Sequence, residues 1–279
     1  MTSSSSPRWK LRLREATQTP APPAYRWLVQ ILRPFIGLLT TRRWLDGHKL
    51  PRGGGVLVVS NHISNYDTIA IGEYLIYHGR WPRYMGKAEI WKVPVVGWFA
   101  TQCRQIPVRR NTPQAQDSLI AARQALLDGD LVAMYPEGTL TRDPDGWPMT
   151  GRLGAARLAL ATGVPVVPVA VHGSDAVLGG RYLRLPRPWR GRAPVTVRAG
   201  DPIDLSRFTA TEPDKETLET VVVTIMDTLT GMVEEIRGEK APALRWDMRQ
   251  DKRVGRRSGQ EDAIRPGSGP AERPGRNRS

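Results

Sequence analysis

The stretch VLVVSNHISNYD, residues 56–67, contains the features that decide the predicted fold. Its first four residues form an apolar run that predicts a buried strand. The polar turn that follows brings a histidine, His62, and a carboxylate, Asp67, to the end of that strand. A neutral imidazole accepts a proton from a hydroxyl near neutral pH, and a carboxylate orients the ring and stabilises its charged form. The stretch therefore contains a candidate base and its orienting acid, and it requires no serine or cysteine nucleophile.

The spacing of these two residues sets a condition on the local structure. Five residues on a regular helix separate two side chains by about 140°, so His62 and Asp67 meet only if the helix starts after His62. Ser64-x-x-Asp67 has the form of a capping box, which favours such a start. A simpler interpretation stays open, in which Asp67 only caps a helix and His62 is an ordinary loop histidine.

Length and charge limit the class of protein. The chain has 279 residues, enough for a large core, and a formal net charge of +14 that favours an anionic partner such as phosphorylated substrate, anionic lipid or nucleic acid. The single cysteine, Cys103, allows no internal disulfide and suits a reducing compartment. The sequence predicts neither a secretory signal nor a run of the ~18 apolar residues that a spanning helix needs.

The segment at residues 25–50 has the pattern of a membrane-interface helix. Its apolar part, residues 27–39, is interrupted by Arg33 and Pro34. Its flanks are basic and tryptophan-bearing, with Arg26, Arg42, Arg43, Trp27 and Trp44. Such flanks are typical of a helix lying in a bilayer interface, although a helix packed on the protein's own core has the same pattern.

Strands and helices alternate from about residue 51 to residue 205, which predicts an α/β fold with a mixed central sheet flanked by helices. A further helix is predicted over residues 215–237. Residues 1–24 and 238–279 are poor in apolar residues, so we expect a disordered N-terminus, a domain over residues 25–237 and a disordered basic tail. The tail's arginines and lysines suit adsorption to an anionic membrane surface, although a merely solubilising role explains them equally well.

A second polar turn, YPEGT at residues 135–139, follows another predicted strand. Ligands of open α/β sheets collect at the carboxyl ends of strands, and a turn with unbonded N–H groups binds phosphate or an oxyanion. Between the two turns, Lys87, Arg109 and Arg110 are candidate phosphate ligands, and the apolar residues 93–99 are candidates for an acyl-chain path, a lipid contact or plain core packing.

Together these segments resemble the glycerolipid acyltransferase family, which includes lysophosphatidate acyltransferase. Four blocks occur in the family's order over about residues 50–200. They are the His-x4-Asp block (HX4D motif) at 62–67, the path from Lys87 through Pro94 and Gly97 to Ile106–Arg110, the Pro-Glu-Gly-Thr block at 136–139, and the double-proline strand at 164–169.

The resemblance implies roles for individual residues. His62 would deprotonate the acceptor hydroxyl, and Asp67 would orient and stabilise the ring. The acceptor's glycerol phosphate would be bound by Arg110, Glu137, Gly138 and Thr139, with Lys87 as a further candidate, whereas Pro168 would shape the acyl-donor pocket.

The chain departs from the family pattern at several positions that concern the phosphate. Leu140 stands where the family often has arginine, and Arg152 replaces a lysine. Arg104 stands where a glycine is common, and Tyr135 where phenylalanine is commoner. We hypothesise that Arg142, two residues after Leu140, supplies the missing charge.

The implied function is transfer of a fatty acyl group from acyl-CoA or acyl carrier protein to 1-acylglycerol 3-phosphate, giving phosphatidate. We expect a peripheral enzyme at the cytoplasmic face of the membrane, with no cofactor and no metal. Three alternatives stay open: another acceptor (glycerol 3-phosphate, a lysophospholipid or a glycolipid), a non-catalytic basic membrane or nucleic-acid binder, and a metallohydrolase using His62, Asp67, Glu137 and His172. Sparse aromatics in the basic tail argue against nucleic acid.

Overall fold

The computed structural model describes residues 7–17, 19–109, 115–180, 186, 189, 191–208 and 213–255. These residues contain a seven-stranded sheet with helices on both faces, which confirms the predicted fold class. The strands are β1 Thr40–Leu45, β2 Val56–Ser60, β3 Pro82–Lys87, β4 Ile106–Val108, β5 Leu131–Met134, β6 Val166–His172 and β7 Ala193–Ala199. Their order in the sheet is β1-β7-β6-β2-β5-β3-β4.

Strand direction gathers the polar turns at one edge of this sheet. β6, β2, β5, β3 and β4 pair in parallel, whereas β7 runs antiparallel to β6 and parallel to β1. The turns after β2 and β5 therefore leave the sheet side by side, at the carboxyl ends where ligands of such sheets bind.

The described helices are α1 Leu13–Ala16, α2 Pro23–Leu39, α3 Asp67–Tyr77, α4 Pro94–Gln102, α5 Ala115–Leu127, α6 Gly154–Thr162, α7 Asp175–Leu178 and α8 Lys215–Arg237. Three short 3-10 helices are also described: Arg8–Lys10 before α1, Gly47–Lys49 between β1 and β2, and Ala88–Lys92 between β3 and α4. α8 has the bounds predicted from sequence, because the Asp214 carboxylate caps Thr217 N at 2.7 Å and Gly238 takes the left-handed conformation at its end.

The two faces of the sheet bury separate cores. β2 alternates between them, with Val56 and Val58 on one side and Leu57 and Val59 on the other. The first core is covered by α3, and the second by α5, α6 and α8. A central parallel strand buried on both faces is uniformly apolar, which is why this run was readable as a strand.

The N-terminal residues are more structured than their composition predicts. Residues 7–17 form the first 3-10 helix and α1, and the side chains of Leu13 and Ala16 are buried against Tyr77 of α3. The guanidinium of Arg8 donates to the carbonyls of Tyr77 and Ala16. These contacts join residues some seventy positions apart, so local composition does not reveal them. Residues 1–6 and 18 lie outside the described part.

The segment at residues 25–50 is helical only as far as Leu39, where it continues as the edge strand β1. Two of its predicted membrane flanks face the protein instead. Arg42 forms a bidentate ion pair with Glu73 at 2.8 and 2.9 Å, and Trp44 packs against Tyr74 and Tyr77. No helix in the described ranges is long and apolar enough to cross a bilayer.

The C-terminal residues also differ from the predicted disordered tail. β8 Arg245–Asp247 and β9 Lys252–Val254 form an antiparallel hairpin. Arg245 pairs with Asp227 at 2.9 Å, and Arg253 pairs with Asp143 at 3.0 Å. Acidic partners therefore neutralise two of the cations expected to contact lipid, and residues 256–279 lie outside the described part.

Candidate active site

The turns after β2, β5 and β6 converge at the carboxyl edge of the sheet. His62 lies two residues beyond β2, Tyr135 directly follows β5, and Ser174 lies two residues beyond β6. β2 is the central strand of the seven, and β5 and β6 are its neighbours. The site is therefore built on the most deeply buried strands of the fold.

His62 and Asp67 meet as the helix-break interpretation requires. His62 Nδ1 lies 2.9 Å from Asp67 Oδ2, and α3 begins only at Asp67. A carboxylate accepts hydrogen bonds, so this contact assigns the ring proton to Nδ1 and leaves the lone pair on Nε2. The ring of His62 lines a large cavity, so a substrate in that cavity can reach the ring.

The Asp67 carboxylate is buried and held by several donors. Besides His62 Nδ1, Oδ2 accepts from Ile63 N at 2.7 Å and Ser64 N at 2.9 Å. Oδ1 accepts the hydroxyl of Ser174. The predicted cap is only partly correct: Tyr66, not Ser64, occupies the N-cap position, while Asp67 does bond back to Ser64 N. These donors fix the carboxylate behind the imidazole.

An aromatic platform fixes the plane of the imidazole. The rings of His62 and Tyr135 stack with centroids 3.8 Å apart and planes 9° apart. The hydroxyl of Tyr135 lies 3.1 Å from Thr68 Oγ1, so the platform is itself anchored to α3. Stacking together with the Asp67 bond leaves the ring little freedom, as a positioned base requires.

Glu137 does not take the position that the family resemblance implies. Its side chain is buried and does not line the cavity. Oε1 accepts from His62 N at 3.0 Å, and Oε2 accepts from Met149 N at 3.0 Å. Burial raises the pKa of Glu137 to about 8, against the opposing effect of the two backbone donors. Glu137 thus links the backbone of the turn after β2, at His62, to the loop that follows the turn after β5, at Met149.

The turn at residues 136–140 forms one wall of the site. Thr141 N donates to His62 O at 2.7 Å, which joins this turn to the histidine loop. Gly138 adopts a φ of +74°, where side chains are disfavoured, and a Cβ there would come within 2.7 Å of Arg152 Nε. Only glycine therefore fits between the turn and Arg152.

A cavity of about 940 Å³ extends from this edge into the protein. At its polar end lie His62, Gly138, Thr139 and Arg152. Its remaining wall is mostly apolar and comes from α2, α3 and α4, including Leu28, Leu32, Ile69, Ile76, Val96 and Phe99. The cavity combines one reactive polar end with a long apolar wall, which suits a substrate carrying a hydrocarbon chain.

The structure distributes the other predicted site residues differently. Lys87 lines the cavity, with its ammonium 4.0 Å from the Glu89 carboxylate. Pro168 is not at the cavity: it lies inside β6, paired with Val59, because the double-proline run is a central strand. Arg110 lies outside the described residues. Arg142 is exposed on the surface and does not line the cavity.

Sequence reasoning missed two residues that hold the site together. Ser174 donates to Asp67, and it follows β6 in a polar turn, the same pattern that identified the other two turns. Asn61 fixes the start of the histidine loop. Its Nδ2 donates to Val171 O, and its Oδ1 accepts from Val171 N, each at 2.9 Å. Both contacts join segments more than a hundred residues apart.

The site thus combines a mixed sheet, a buried acid–imidazole pair and a mostly apolar cavity. The family model described as Acyltransferase matches residues 44–172, which contain both polar turns. The matched segment is a little under half of the chain, and the match agrees with the resemblance to glycerolipid acyltransferases that the four sequence blocks indicate.

Individual relatives agree with this resemblance. The chloroplastic 1-acyl-sn-glycerol-3-phosphate acyltransferase BAT2 of Brassica napus is 32% identical over 43% of this chain and 33% of its own length. The 1-acyl-sn-glycerol-3-phosphate acyltransferase of Haemophilus influenzae is 27% identical over 66% of this chain and 71% of its own length. The lyso-ornithine lipid O-acyltransferase of Pseudomonas aeruginosa is 33% identical over 42% of each. This chain thus spans about a third of the chloroplast relative's length.

A solved structure has the same fold. It is the 1-acyl-sn-glycerophosphate (LPA) acyltransferase PlsC from Thermotoga maritima, with a TM-score of 0.57 and 24% identity. The similarity covers 84% of this chain and 87% of that one, so it includes segments outside residues 44–172.

Proposed function

We propose that this protein transfers a fatty acyl group from an acyl thioester, acyl-CoA or acyl carrier protein, to the free hydroxyl of 1-acylglycerol 3-phosphate. The observation that carries the proposal is the His62–Asp67 pair at the polar end of the apolar cavity. The names of most relatives reported above support the same acceptor.

In the proposed reaction His62 Nε2 removes the proton of the acceptor hydroxyl as its oxygen attacks the thioester carbonyl carbon. The resulting imidazolium is stabilised by the buried carboxylate of Asp67. When the carbon–sulfur bond breaks, the thiolate takes the proton from His62, and an ester and a free thiol are released. A thioester is already activated, so a positioned base and oxyanion stabilisation suffice without a covalent enzyme intermediate.

The turn after Gly138 supplies donors for the developing oxyanion in this scheme. The backbone N–H groups of Thr139 and Leu140 have no acceptor among the described residues. Both residues line the cavity, close to the loop that carries His62. Fixed N–H donors in a site shielded from water stabilise charge that forms in the transition state.

The proposed location is a peripheral one, on the cytoplasmic face of the membrane. α2 exposes Trp27, Ile31, Phe35 and Leu38, and the segment leading into and through α4 exposes Ile90, Val93, Val95, Val96 and Trp98. α2 and α4 contact each other, so these side chains belong to one apolar face beside the cavity. Large exposed apolar patches on a monomer mark interaction sites, and a membrane holds the hydrocarbon chain of the lysophosphatidate acceptor.

Release of free thiol tests the proposed reaction. Purified protein is given acyl-CoA with lysophosphatidate, with monoacylglycerol, or with no acceptor. We expect rapid thiol release that depends on lysophosphatidate, with phosphatidate as the lipid product. Equal release without acceptor would indicate a thioesterase, and DNA binding without thiol release would favour a basic binding protein.

Binding to vesicles tests the proposed location. Phe35→Ser and Trp98→Ser, on the apolar face, should weaken sedimentation with phosphatidylglycerol–phosphatidylcholine vesicles. The matched control is Ile120→Ser, because Ile120 is similarly exposed but lies on α5, on the other face of the sheet. Loss of binding in the control alone, or in none of the three, would contradict the location.

A lyso-ornithine lipid is the second candidate acceptor. It is favoured by the Pseudomonas aeruginosa relative and by the apolar Leu140 at the cavity, where the family often has arginine. Faster thiol release with lyso-ornithine lipid than with lysophosphatidate would identify lyso-ornithine lipid as the preferred acceptor. The described residues contain no group of three or more His, Cys, Asp or Glu side chains arranged for a metal ion.

A further inference from the structure

Arg152 is placed to act on a ligand rather than on the fold. Its side chain lines the cavity, and no hydrogen bond or ion pair joins its guanidinium to the described residues. The backbone is fixed, because Arg152 N donates to Pro136 O at 2.9 Å. The guanidinium packs over Gly138, whose missing side chain leaves room for it. A cation is thus held at the polar end of a mostly apolar cavity.

The other cations near the site are placed less well for this purpose. Lys87 also lines the cavity, but its ammonium is largely exposed and lies near the Glu89 carboxylate. Arg142 is exposed outside the cavity, so the structure does not support the hypothesis that it replaces the charge missing at Leu140. Among the described cavity-lining residues, Lys87 and Arg152 are the two with a full positive charge.

We propose that Arg152 binds the phosphate of the acceptor and makes the enzyme select phosphorylated acceptors over neutral ones. This inference rests on the proposed function, because it concerns the acceptor of that reaction. A guanidinium donates two parallel hydrogen bonds to phosphate oxygens, which an ammonium at the same position cannot reproduce. Leu140 offers no charge, so in this chain the cation comes from Arg152, two residues before α6, instead of from the turn.

The position of Arg152 also gives the acceptor an orientation. The guanidinium lies against Gly138, in the turn that hydrogen-bonds to the histidine loop. A phosphate held there leaves the glycerol hydroxyl on the His62 side and the acyl chain toward the apolar wall. Arg152 therefore acts in binding and orientation, and not in proton transfer.

Steady-state kinetics of Arg152→Ala and Arg152→Lys, with Arg142→Ala as the matched control, test this assignment. For lysophosphatidate we expect KM to rise about 10- to 100-fold in R152A, with kcat within about threefold of wild type. R152K should recover part of the loss, since it restores charge without the bidentate geometry. R142A should behave as wild type, and with monoacylglycerol R152A should differ little from wild type.

A direct measurement of anion binding tests the role of Arg152 independently of whether the proposed reaction occurs. The rise in Tm on adding sn-glycerol 3-phosphate is measured for wild type, R152A and R142A. If wild type does not release thiol with lysophosphatidate but shows a Tm rise that R152A lacks, the proposed function fails and the anion site stands.

If wild type turns over lysophosphatidate while R152A keeps the wild-type KM and Tm rise, the Arg152 assignment is overturned and the proposed function stands. A KM effect of the same size in R142A would likewise overturn it, because an exposed charge would then act as strongly as the one in the cavity. The absence of both turnover and a Tm rise in wild type would overturn both proposals.

Discussion

The polar turns after β2 and β5 each contain one buried carboxylate, but the two carboxylates are bonded to different kinds of group. Asp67 accepts from two backbone N–H groups, a serine hydroxyl and the imidazole of His62. Glu137 accepts only from backbone, from His62 N and Met149 N. One acid therefore holds the ring of His62, and the other holds its main chain.

This difference indicates that Asp67 acts in the reaction, whereas Glu137 stabilises the backbone around the site. The resemblance to the family assigns both acids to function, as orienter and as substrate ligand, yet only Asp67 touches a group that can exchange protons with substrate. Glu137 has both oxygens occupied and no access to the cavity. We expect substitutions of Asp67 to change the rate and substitutions of Glu137 to change mainly stability.

Of the substitutions that compare the two acids, Asp67→Asn should have the largest effect. The asparagine oxygen stays where Ile63 N and Ser64 N donate, so the imidazole keeps its acceptor but loses the buried negative charge that stabilises the imidazolium. We expect kcat to fall on the order of 10²- to 10⁴-fold while KM stays within about threefold. Asp128→Asn, at an exposed position, is the control. A kcat near wild type in D67N, with the far-UV circular dichroism unchanged, would reject the orienting role.

Glu137→Gln should mainly cost stability. Glutamine accepts only one of the two backbone hydrogen bonds and turns an N–H group toward the other donor. Leaving that donor unsatisfied should lower the free energy of unfolding by about 1–3 kcal/mol, measured by urea denaturation at pH 7. A large loss of kcat with unchanged stability would show that Glu137 belongs with Asp67 instead.

Glu137 should also make stability depend on pH. Burial raises its pKa in the folded protein to about 8, above the ordinary glutamate value. The folded state therefore binds the proton more tightly than the unfolded chain, so this group's stabilising contribution is present at low pH and is lost as pH rises through about 8. Between pH 7 and 9 the free energy of unfolding should fall in wild type and fall less in E137Q. Parallel curves would contradict the raised pKa.

The smallest effect should come from Ser174→Ala. Asp67 loses one neutral donor and keeps three others. One such bond contributes about 1 kcal/mol, so kcat should fall about threefold to tenfold. The control is Ser206→Ala, because Ser206 is exposed and remote in sequence from all three polar turns. A loss as large as that of D67N would mean that Ser174 itself takes part in the reaction.

The sequence predicted the structural features that depend on residues close together in the chain, and it missed those that depend on distant contacts. The central strand, α8 and the His62–Asp67 pair were predictable because period, caps and a five-residue spacing carry the information. The hairpin at residues 245–254 was not, because ion pairs with Asp143 and Asp227 order an otherwise polar segment. Ser174 and Asn61 were missed for the same reason: their partners are distant in sequence.

The family resemblance implies substrate-binding roles for two residues that do not line the cavity in the structure. Pro168 lies within the sheet, and Glu137 lies behind the cavity wall. Arg152 was noted only as a departure from the pattern, yet it lines the cavity at the polar end. A motif match names positions along the chain, whereas the packing of the strands decides which of them reach the substrate.

The most direct test of the central claim is acceptor-dependent thiol release by His62→Ala, compared with His48→Ala. His48 is exposed in the 3-10 helix Gly47–Lys49 and does not line the cavity, so its loss controls for removal of a histidine. We expect a rate at least about 10²-fold below wild type for H62A, with wild-type far-UV circular dichroism, and a normal rate for H48A. Transfer at the wild-type rate by a folded H62A enzyme would contradict the account.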